Sequence, residues 1–217
     1  MPIKIALADD HTIVRNGLRA LLEKEADFEV VCEVADGRAA VRCIGESAPD
    51  LMLMDVAMPE LNGIEATRQL RRDHPEVRVI ALSMHSDRRY VVEMLKAGAQ
   101  GYLLKDCAQD ELARAVRAVA GGQSYLSPAI SDVVVSDYLQ LVEGGVATPA
   151  SKLTAREREV LQLVAEGSST RVIAERLGVS VKTIETHRQQ VMRKLDLHSV
   201  AELTKYAVRE GLTSVDA

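Results

Sequence analysis

Five residues whose side chains can bind charged groups follow apolar runs in the first half of the 217-residue chain. They are Asp9, Asp10, Asp55, Ser83 and Lys105. Carboxylates brought close together repel one another unless a cation lies between them, and oxygen ligands with room for water suit Mg²⁺. If the fold gathers these residues at one place, the sequence predicts a site for a divalent metal ion.

Each of these residues also has an ordinary structural explanation. Asp9 and Asp10 could cap a helix, Asp55 could form a turn, and Lys105 could be a solvated loop charge. Those explanations do not account for polar groups at the same end of successive strands. Because open parallel sheets bind ligands outside the carboxyl ends of their strands, we favour a functional cluster.

The elements that would position this cluster form a regular alternation over residues 1–120. Short apolar runs alternate with stretches of helical period, which is typical of a parallel α/β sheet covered by helices on both faces. The pattern predicts five strands, at residues 3–8, 30–34, 51–54, 77–82 and 101–104. It predicts helices at about residues 11–24, 38–46, 63–73, 88–97 and 109–120.

Residues 1–120 resemble the receiver domain of bacterial two-component response regulators. The resemblance rests on Asp9-Asp10, residues 55–63, Ser83 and residues 101–105. It implies a five-stranded flavodoxin-like (CheY-like) fold, in which Asp55 accepts a phosphoryl group from a histidine kinase.

The resemblance also implies a metal site around the acceptor. Asp10, Asp55 and the main-chain carbonyl of Ala57 would hold Mg²⁺, with Asp9 assisting through water. The side chains of Ala57 and His85 would influence how water reaches the phosphorylated carboxyl group. The metal and a nearby ammonium would neutralise charge on the phosphoryl oxygens.

Lys105 would bind a phosphoryl oxygen, and Ser83 and Tyr102 would form the switch of such a domain. The Ser83 hydroxyl would donate to the phosphoryl group, and its movement would leave room for Tyr102 to turn inward. Many receivers have a cis proline after this lysine, whereas Asp106 stands here. The geometry of the Lys105–Asp106 bond is therefore open.

Residues 121–150 are predicted to be a linker with one possible short helix near residues 133–142. Residues 151–217 are predicted to form a second domain of four helices, near residues 155–166, 170–177, 181–194 and 200–210. Two capping boxes, Thr154 with Glu157 and Ser199 with Glu202, mark helix starts, and Ser180 is a further candidate N-cap.

Residues 151–217 resemble a helix-turn-helix of the LuxR type, through residues 153–160 and 173–188. Paired with a receiver, this unit is typical of the NarL/FixJ branch of response regulators. The segment carries 11 basic and 9 acidic residues, whereas the whole chain has a net charge of −5. A double-stranded DNA partner therefore belongs to this domain.

The third helix of this domain is predicted to have a core side and a DNA side. Steps of about 100° from Ile184 place His187, Val191 and Leu195 on the core side. The candidates for base contacts on the other side are Glu185, Thr186 and Gln189, and those for phosphate contacts are Lys182, Arg193 and Lys194. The alternative is an ordinary solvated face.

One recognition helix reads only a few base pairs, so a homodimer on an inverted repeat is expected, most of all when the receiver is phosphorylated. Val200, Leu203 and Ala207 form an apolar stripe on the fourth helix that is a candidate dimer contact. Equally, the stripe could complete the core of its own domain.

Composition narrows the cellular setting. The three cysteines, Cys32, Cys43 and Cys107, show no C-x-x-C spacing and favour a reducing compartment. No stretch approaches the length of about 18 apolar residues that a membrane helix needs, and the first residues are not typical of a signal peptide. We expect a cytoplasmic protein with no membrane partner.

The combined pattern predicts a DNA-binding transcription regulator controlled by phosphorylation. It predicts no enzymatic activity beyond the chain's own phosphorylation and dephosphorylation. Two alternatives remain, a Mg²⁺-dependent phosphatase with an aspartyl nucleophile and a DNA-binding regulator that works without phosphorylation. Such phosphatases typically carry a second carboxylate where Ala57 stands, and a degenerate receiver would lack Asp10, Asp55 or Lys105.

Overall fold

The computed structural model describes residues 1–84, 87–142 and 153–213. These residues form two compact units, one within residues 1–142 and one within residues 153–213. The predicted fold class, a parallel α/β unit followed by an all-helical unit, is confirmed.

The first unit is a parallel sheet in the order β2-β1-β3-β4-β5-β6. Its strands are β1 (Ile3–Ala8), β2 (Phe28–Val34), β3 (Leu51–Asp55), β4 (Arg78–Ser83), β5 (Gly101–Leu104) and β6 (Tyr125–Leu126). Its helices are α1 (Thr12–Leu22), α2 (Gly37–Ser47), α3 (Gly63–Asp73), α4 (Arg88–Ala97), α5 (Gln109–Ala120) and α6 (Pro128–Val142).

The prediction of five strands is wrong by one. The sixth strand, β6, lies within the predicted linker and pairs with β5 through Gly101–Tyr125 and Tyr102–Leu126. Two residues are too few to show a strand period, so the sequence pattern did not reveal it. The helix expected near residues 133–142 is α6, which begins five residues earlier, and residues 143–152 lie outside the described residues.

The two faces of the sheet carry separate apolar layers. One layer is formed by side chains such as Met52, Met54 and Ile64, and the other by Leu51, Leu53 and Val116. Consecutive residues of β3 therefore face opposite layers, and all five are buried. This double coverage explains why the strand is apolar without alternation up to its last residue, Asp55.

A disulfide joins β2 to α2 in the same unit. It links Cys32 and Cys43, whose Cα atoms are 6.7 Å apart, and Cys107 is a free thiol. This pairing has no signature in the sequence, because the spacing of two cysteines in separate elements carries no signal without the fold.

The second unit consists of α7 (Ala155–Ala165), α8 (Thr170–Arg176), α9 (Val181–Leu195) and α10 (Val200–Arg209). Both predicted capping boxes are present, and Ser180 is the N-cap of α9, as predicted. Gly178 has a positive φ of 63° in the turn between α8 and α9, a conformation that glycine adopts without a Cβ penalty. None of the helices in the described ranges is both long and apolar enough to span a bilayer.

The close approach of α3 to β3 gives a stability prediction. A Cβ atom at Gly63 would lie 2.0 Å from the Asp55 carbonyl oxygen, so Gly63→Ala forces the backbone to move. We expect it to lower the free energy of unfolding by about 1–3 kcal/mol, as overpacked sites do. Urea denaturation followed by far-UV circular dichroism measures this change.

Gly17→Ala is the matched control, because no atom lies within 4 Å of a Cβ at this position inside α1. It should raise stability by about 0.5–1 kcal/mol through the helix propensity of alanine. Equal effects of the two substitutions would contradict the close approach of Gly63 to the Asp55 carbonyl.

Candidate functional site

Carboxylates from two adjacent strands meet at the carboxyl edge of the sheet. Asp9 and Asp10 follow β1, and Asp55 ends β3, which pairs directly with β1. Asp9, Asp10, Asp55 and His11 each place a ligand atom within 4.8 Å of the others. Asp9 is 1% exposed and Asp55 is 3% exposed, whereas Asp10 is partly exposed. The predicted convergence of the carboxylates is present in the structure.

The Lys105 ammonium joins this cluster from β5. Its Nζ lies 2.7 Å from Asp9 Oδ2 and 2.6 Å from Asp55 Oδ2. The Lys105 main-chain N–H donates to the Ser83 carbonyl at 2.8 Å, which continues the pairing of β5 with β4 past the strand end. The Lys105–Asp106 peptide bond is trans, like all others between described residues.

Burial and neighbouring charges set the protonation states of Asp55 and Lys105. Burial raises the pKa of Asp55 to about 6, even though the Lys105 ammonium opposes the shift. Burial alone would lower the pKa of Lys105, but the carboxylates of Asp55 and Asp9 outweigh it and hold the pKa above its ordinary value. At neutral pH the Asp55 carboxylate is therefore mostly ionised and Lys105 is charged.

The donor set of the cluster fits a hard divalent cation. Three carboxylates offer more oxygen ligands than the single Lys105 ammonium can satisfy, and Asp10 keeps an open side toward solvent. The Ala57 main-chain N–H donates to Asp55 Oδ1 at 3.3 Å, so Ala57 lies in the loop directly after Asp55 and its carbonyl stays a predicted ligand.

Ser83 and Tyr102 lie together beside the cluster. Ser83 is 4% exposed, and Tyr102 is fully buried and hydrogen-bonded to the Ser83 hydroxyl. Burial raises the pKa of Tyr102 to about 12. Tyr102 therefore occupies the inward position that the switch hypothesis assigns to the phosphorylated state. His85 lies outside the described residues.

Sequence reasoning missed two residues that touch the acidic cluster. His11 Nδ1 lies 2.8 Å from Asp10 Oδ1, and the His11 main-chain N–H donates to Asp9 Oδ1 at 2.8 Å. Arg15 Nη1 donates to the Asp9 carbonyl at 2.5 Å. Both follow the Asp9-Asp10 pair within about one and a half turns of helix, which is a signal that helical spacing could have provided.

In the second unit, α9 separates its faces as predicted. Ile184 and Val191 are buried, and His187 and Leu195 are partly buried. The exposed residues of the predicted DNA side are Lys182, Glu185, Thr186, Gln189 and Arg193. The Thr186 hydroxyl donates to the Lys182 carbonyl at 2.9 Å, and its oxygen can still accept a hydrogen bond.

Lys194 has a different environment from the other predicted phosphate contacts. Its Nζ lies 2.6 Å from Oε2 of Glu157, a buried residue of the α7 capping box. Burial raises the pKa of Glu157, but the hydrogen bonds from Lys194 and Thr154 outweigh it and leave the pKa below its ordinary value. Lys194 therefore joins α9 to α7, and because its side chain is still 38% exposed, its contact with a DNA phosphate stays a prediction.

The apolar stripe of α10 is divided between core and surface. Leu203 and Ala207 are 1% and 0% exposed and pack in the core of their own unit, whereas Val200 is 50% exposed. The alternative interpretation thus holds for two of the three residues. Of the stripe, Val200 alone remains a candidate for a dimer contact.

Comparison with known families matches both units. Residues 5–117 match the response regulator receiver domain, and residues 151–207 match the bacterial regulatory proteins of the luxR family. Together the two matches cover most of the chain.

Comparison with individual proteins gives relatives over the full length. The chain is 38% identical over 226 residues to the transcriptional regulatory protein DegU of Brevibacillus brevis, covering 98% of this chain and 96% of the relative. It is 38% identical over 214 residues to the oxygen regulatory protein NreC of Staphylococcus haemolyticus, covering 97% of this chain and 99% of the relative. A solved structure of two RcsB dimers bound to two parallel DNAs matches this chain with a TM-score of 0.60 at 26% sequence identity. The match covers 97% of this chain and 99% of the RcsB chain.

The position of Lys105 leads to a prediction about metal affinity. In Lys105→Ala the carboxylates of Asp9 and Asp55 lose their ammonium partner, so a divalent cation becomes the main source of neutralising charge. We expect Mg²⁺ to bind on the order of tenfold more tightly than to the wild type, which corresponds to about 1.4 kcal/mol. Isothermal titration calorimetry at fixed pH and ionic strength measures the affinity.

Lys96→Ala serves as the control, because Lys96 is exposed on α4 and pairs with Glu93 instead. Its Mg²⁺ affinity should match that of the wild type. Weaker Mg²⁺ binding by Lys105→Ala would show that the ammonium does not compete with the metal for these carboxylates.

Proposed function

The chain belongs to the bacterial response regulators that pair a receiver domain with a LuxR-family helix-turn-helix, and we propose that phosphorylation of Asp55 controls its binding to DNA. It is a DNA-binding transcription regulator of this family. One observation carries the proposal: Asp55 lies buried at the end of β3, within hydrogen-bonding distance of the Lys105 ammonium and next to the acidic cluster. We propose residues 1–120 as the receiver and 151–217 as the DNA-binding domain; of the predicted linker, 121–150, the residues up to 142 add β6 and α6 to the receiver's own unit.

Mg²⁺ is the proposed metal of the acidic cluster. Asp10, Asp55 and the main-chain carbonyl of Ala57 would hold it, and Asp9 would assist through water. The all-oxygen donor set and the partial exposure of Asp10 support this choice. When bound, the metal neutralises negative charge on the oxygens of an incoming phosphoryl group.

Asp55 is the proposed nucleophile. One of its carboxylate oxygens bonds to phosphorus while the bond from phosphorus to the phosphohistidine nitrogen of a kinase breaks, and the electron pair of that bond stays on the nitrogen. A pKa of about 6 leaves Asp55 ionised at neutral pH, as an attacking carboxylate must be. Lys105 is placed to transfer its hydrogen bond from Asp55 to a phosphoryl oxygen.

Ser83 and Tyr102 are the proposed switch. Ser83 ends β4 next to β3, so its hydroxyl is one strand away from the acceptor. When that hydroxyl turns toward the phosphoryl group, it must exchange its hydrogen bond with Tyr102 for a new one. The phosphoryl group would thereby favour one of two packings of this part of the receiver.

Double-stranded DNA and a second copy of the chain are the proposed partners of the other unit. The exposed face of α9 supplies two basic side chains, Lys182 and Arg193, on either side of polar groups that can contact bases. RcsB dimers bind DNA in the related structure, and we propose that this chain also binds an inverted repeat as a homodimer. A histidine kinase is the proposed phosphoryl donor, and the cytoplasm is the proposed location.

Neither alternative function has an observation in its favour. A phosphatase with an aspartyl nucleophile needs an acid or base beside it, and Ala57 supplies none through its side chain. A regulator independent of phosphorylation would not need Asp10, Asp55 and Lys105 to converge. We propose no enzymatic activity beyond self-phosphorylation and self-dephosphorylation.

Incorporation of phosphate tests the assignment of Asp55. Incubation with acetyl phosphate and Mg²⁺ should add one phosphate to the wild type and none to Asp55→Ala, as measured by intact-mass spectrometry. Asp73→Ala, which removes an exposed carboxylate paired with Arg72, should incorporate phosphate like the wild type. Equal incorporation by Asp55→Ala would falsify the assignment.

The two sets of α9 residues predict different effects on DNA binding. Lys182→Ala should weaken binding to all sequences alike and reduce the salt dependence, because a phosphate contact carries no sequence information. Gln189→Ala should cost about 1–3 kcal/mol mainly on the cognate duplex. Fluorescence anisotropy at several salt concentrations, with a duplex selected from a random pool and a scrambled one, measures both effects. If Gln189→Ala weakened both duplexes equally, Gln189 would not read bases.

A further inference from the structure

We propose that Cys32 and Cys43 form a reversible redox site whose reaction partners are small disulfides and thiols such as oxidised and reduced glutathione. The structure joins the two residues across the contact of β2 with α2, at a Cα–Cα distance of 6.7 Å, within the usual disulfide range of about 4.4–6.8 Å. The proposal does not depend on phosphorylation of Asp55.

The cellular setting argues for a reversible link. A transcription regulator meets DNA in a compartment that keeps most thiols reduced, where disulfides are usually transient or redox-sensing. The fold also provides an alternative use for the two side chains. Cys43 is 5% exposed and packs with Ala40 and Ile44 in an apolar layer, which Cys32 joins from β2. As thiols, both would serve as small apolar core residues.

Access to the two sulfur atoms differs, and this sets an order of reaction. Cys32 is partly exposed on β2, which is an edge strand of the sheet, whereas Cys43 is buried. We therefore expect the Cys32 thiolate to attack oxidised glutathione first, forming a mixed disulfide and releasing one glutathione thiolate. The Cys43 thiolate then attacks the Cys32 sulfur and displaces the second glutathione. Two electrons pass to glutathione, and the two thiol protons end on the released glutathione molecules.

The third cysteine does not compete for this reaction. Burial, with Glu111 and Asp106 nearby, raises the pKa of Cys107 to about 11, so almost no thiolate forms at neutral pH. Cys107 packs against the other apolar layer, on the opposite face of the sheet from Cys43. Redox chemistry is thus directed to one pair.

Oxidation would restrain a helix that contacts the phosphoacceptor loop. Gly37, the first residue of α2, lies so close to this loop that a Cβ atom would be 2.1 Å from the Leu61 carbonyl oxygen. Leu61 lies between Asp55 and α3. A bond from α2 to β2 would therefore restrict the motion of α2 and of the segment around Leu61.

The test begins with equilibration of the native full-length chain in glutathione buffers, followed by acid quenching and mass spectrometry. We expect the Cys32–Cys43 bond to form in a tenfold excess of oxidised over reduced glutathione and to disappear in a hundredfold excess of reduced glutathione. Cys43→Ser should stop at a mixed disulfide with one glutathione on Cys32, and Cys107→Ser should behave like the wild type. A bond that survives the reducing buffer, or that never forms in the oxidising one, would overturn the proposal.

Hydrogen exchange then tests the restraint. In the oxidised chain, amides of residues 37–47 and 56–63 should exchange at least threefold more slowly than in the reduced chain, while those of α5 should not change. Cys32→Ala, which removes the bond without placing a polar atom in the core, should show no redox dependence. Identical exchange of α2 in the oxidised and reduced wild type would show that the bond does not restrain the helix.

Discussion

The Lys105 ammonium lies between two buried carboxylates, 2.7 Å from Asp9 and 2.6 Å from Asp55. This ion triad is the interaction on which the receiver depends, because each member would be costly to bury alone. Two carboxylates with one ammonium still leave excess negative charge, to which Asp10 adds. The site is therefore prepared for further positive charge, and a bound metal can neutralise the charge that a phosphoryl group brings.

The order of the strands produces this triad. Placing β1 and β3 side by side, followed by β4 and β5, brings Asp9, Asp55, Ser83 and Lys105 to consecutive positions along one edge. The same order of strands places Ser83 against Tyr102 of the adjacent strand, the pair proposed as the switch. Under the proposed switch, a phosphoryl group on Asp55 would act on Tyr102, two strands away, through Ser83. In the second unit, the Lys194–Glu157 pair fixes α9 against α7 and leaves the other face of α9 exposed.

Sequence patterns predicted most of this arrangement, and the failures have physical reasons. The bounds of β1, β5, α3, α4 and α5 agree with the structure, because apolar periodicity and clear start and stop signals coincide there. The strand β6 was missed because it is too short for a period, and the pairing of Lys194 with Glu157 was missed because the two residues lie 37 positions apart. The Cys32–Cys43 bond depends on tertiary packing, which no local pattern reports.

The central claim is that the charge state of Asp55 controls DNA binding, and the affinity of the full chain for a selected inverted-repeat duplex tests it most directly. The affinity should be measured with and without acetyl phosphate and Mg²⁺, in the wild type and in Asp55→Ala. If phosphorylation pairs two recognition helices, the wild type should bind at least on the order of tenfold more tightly with the phosphodonor, whereas Asp55→Ala should show no change. Equal affinity of the wild type with and without stoichiometric phosphorylation would contradict the account.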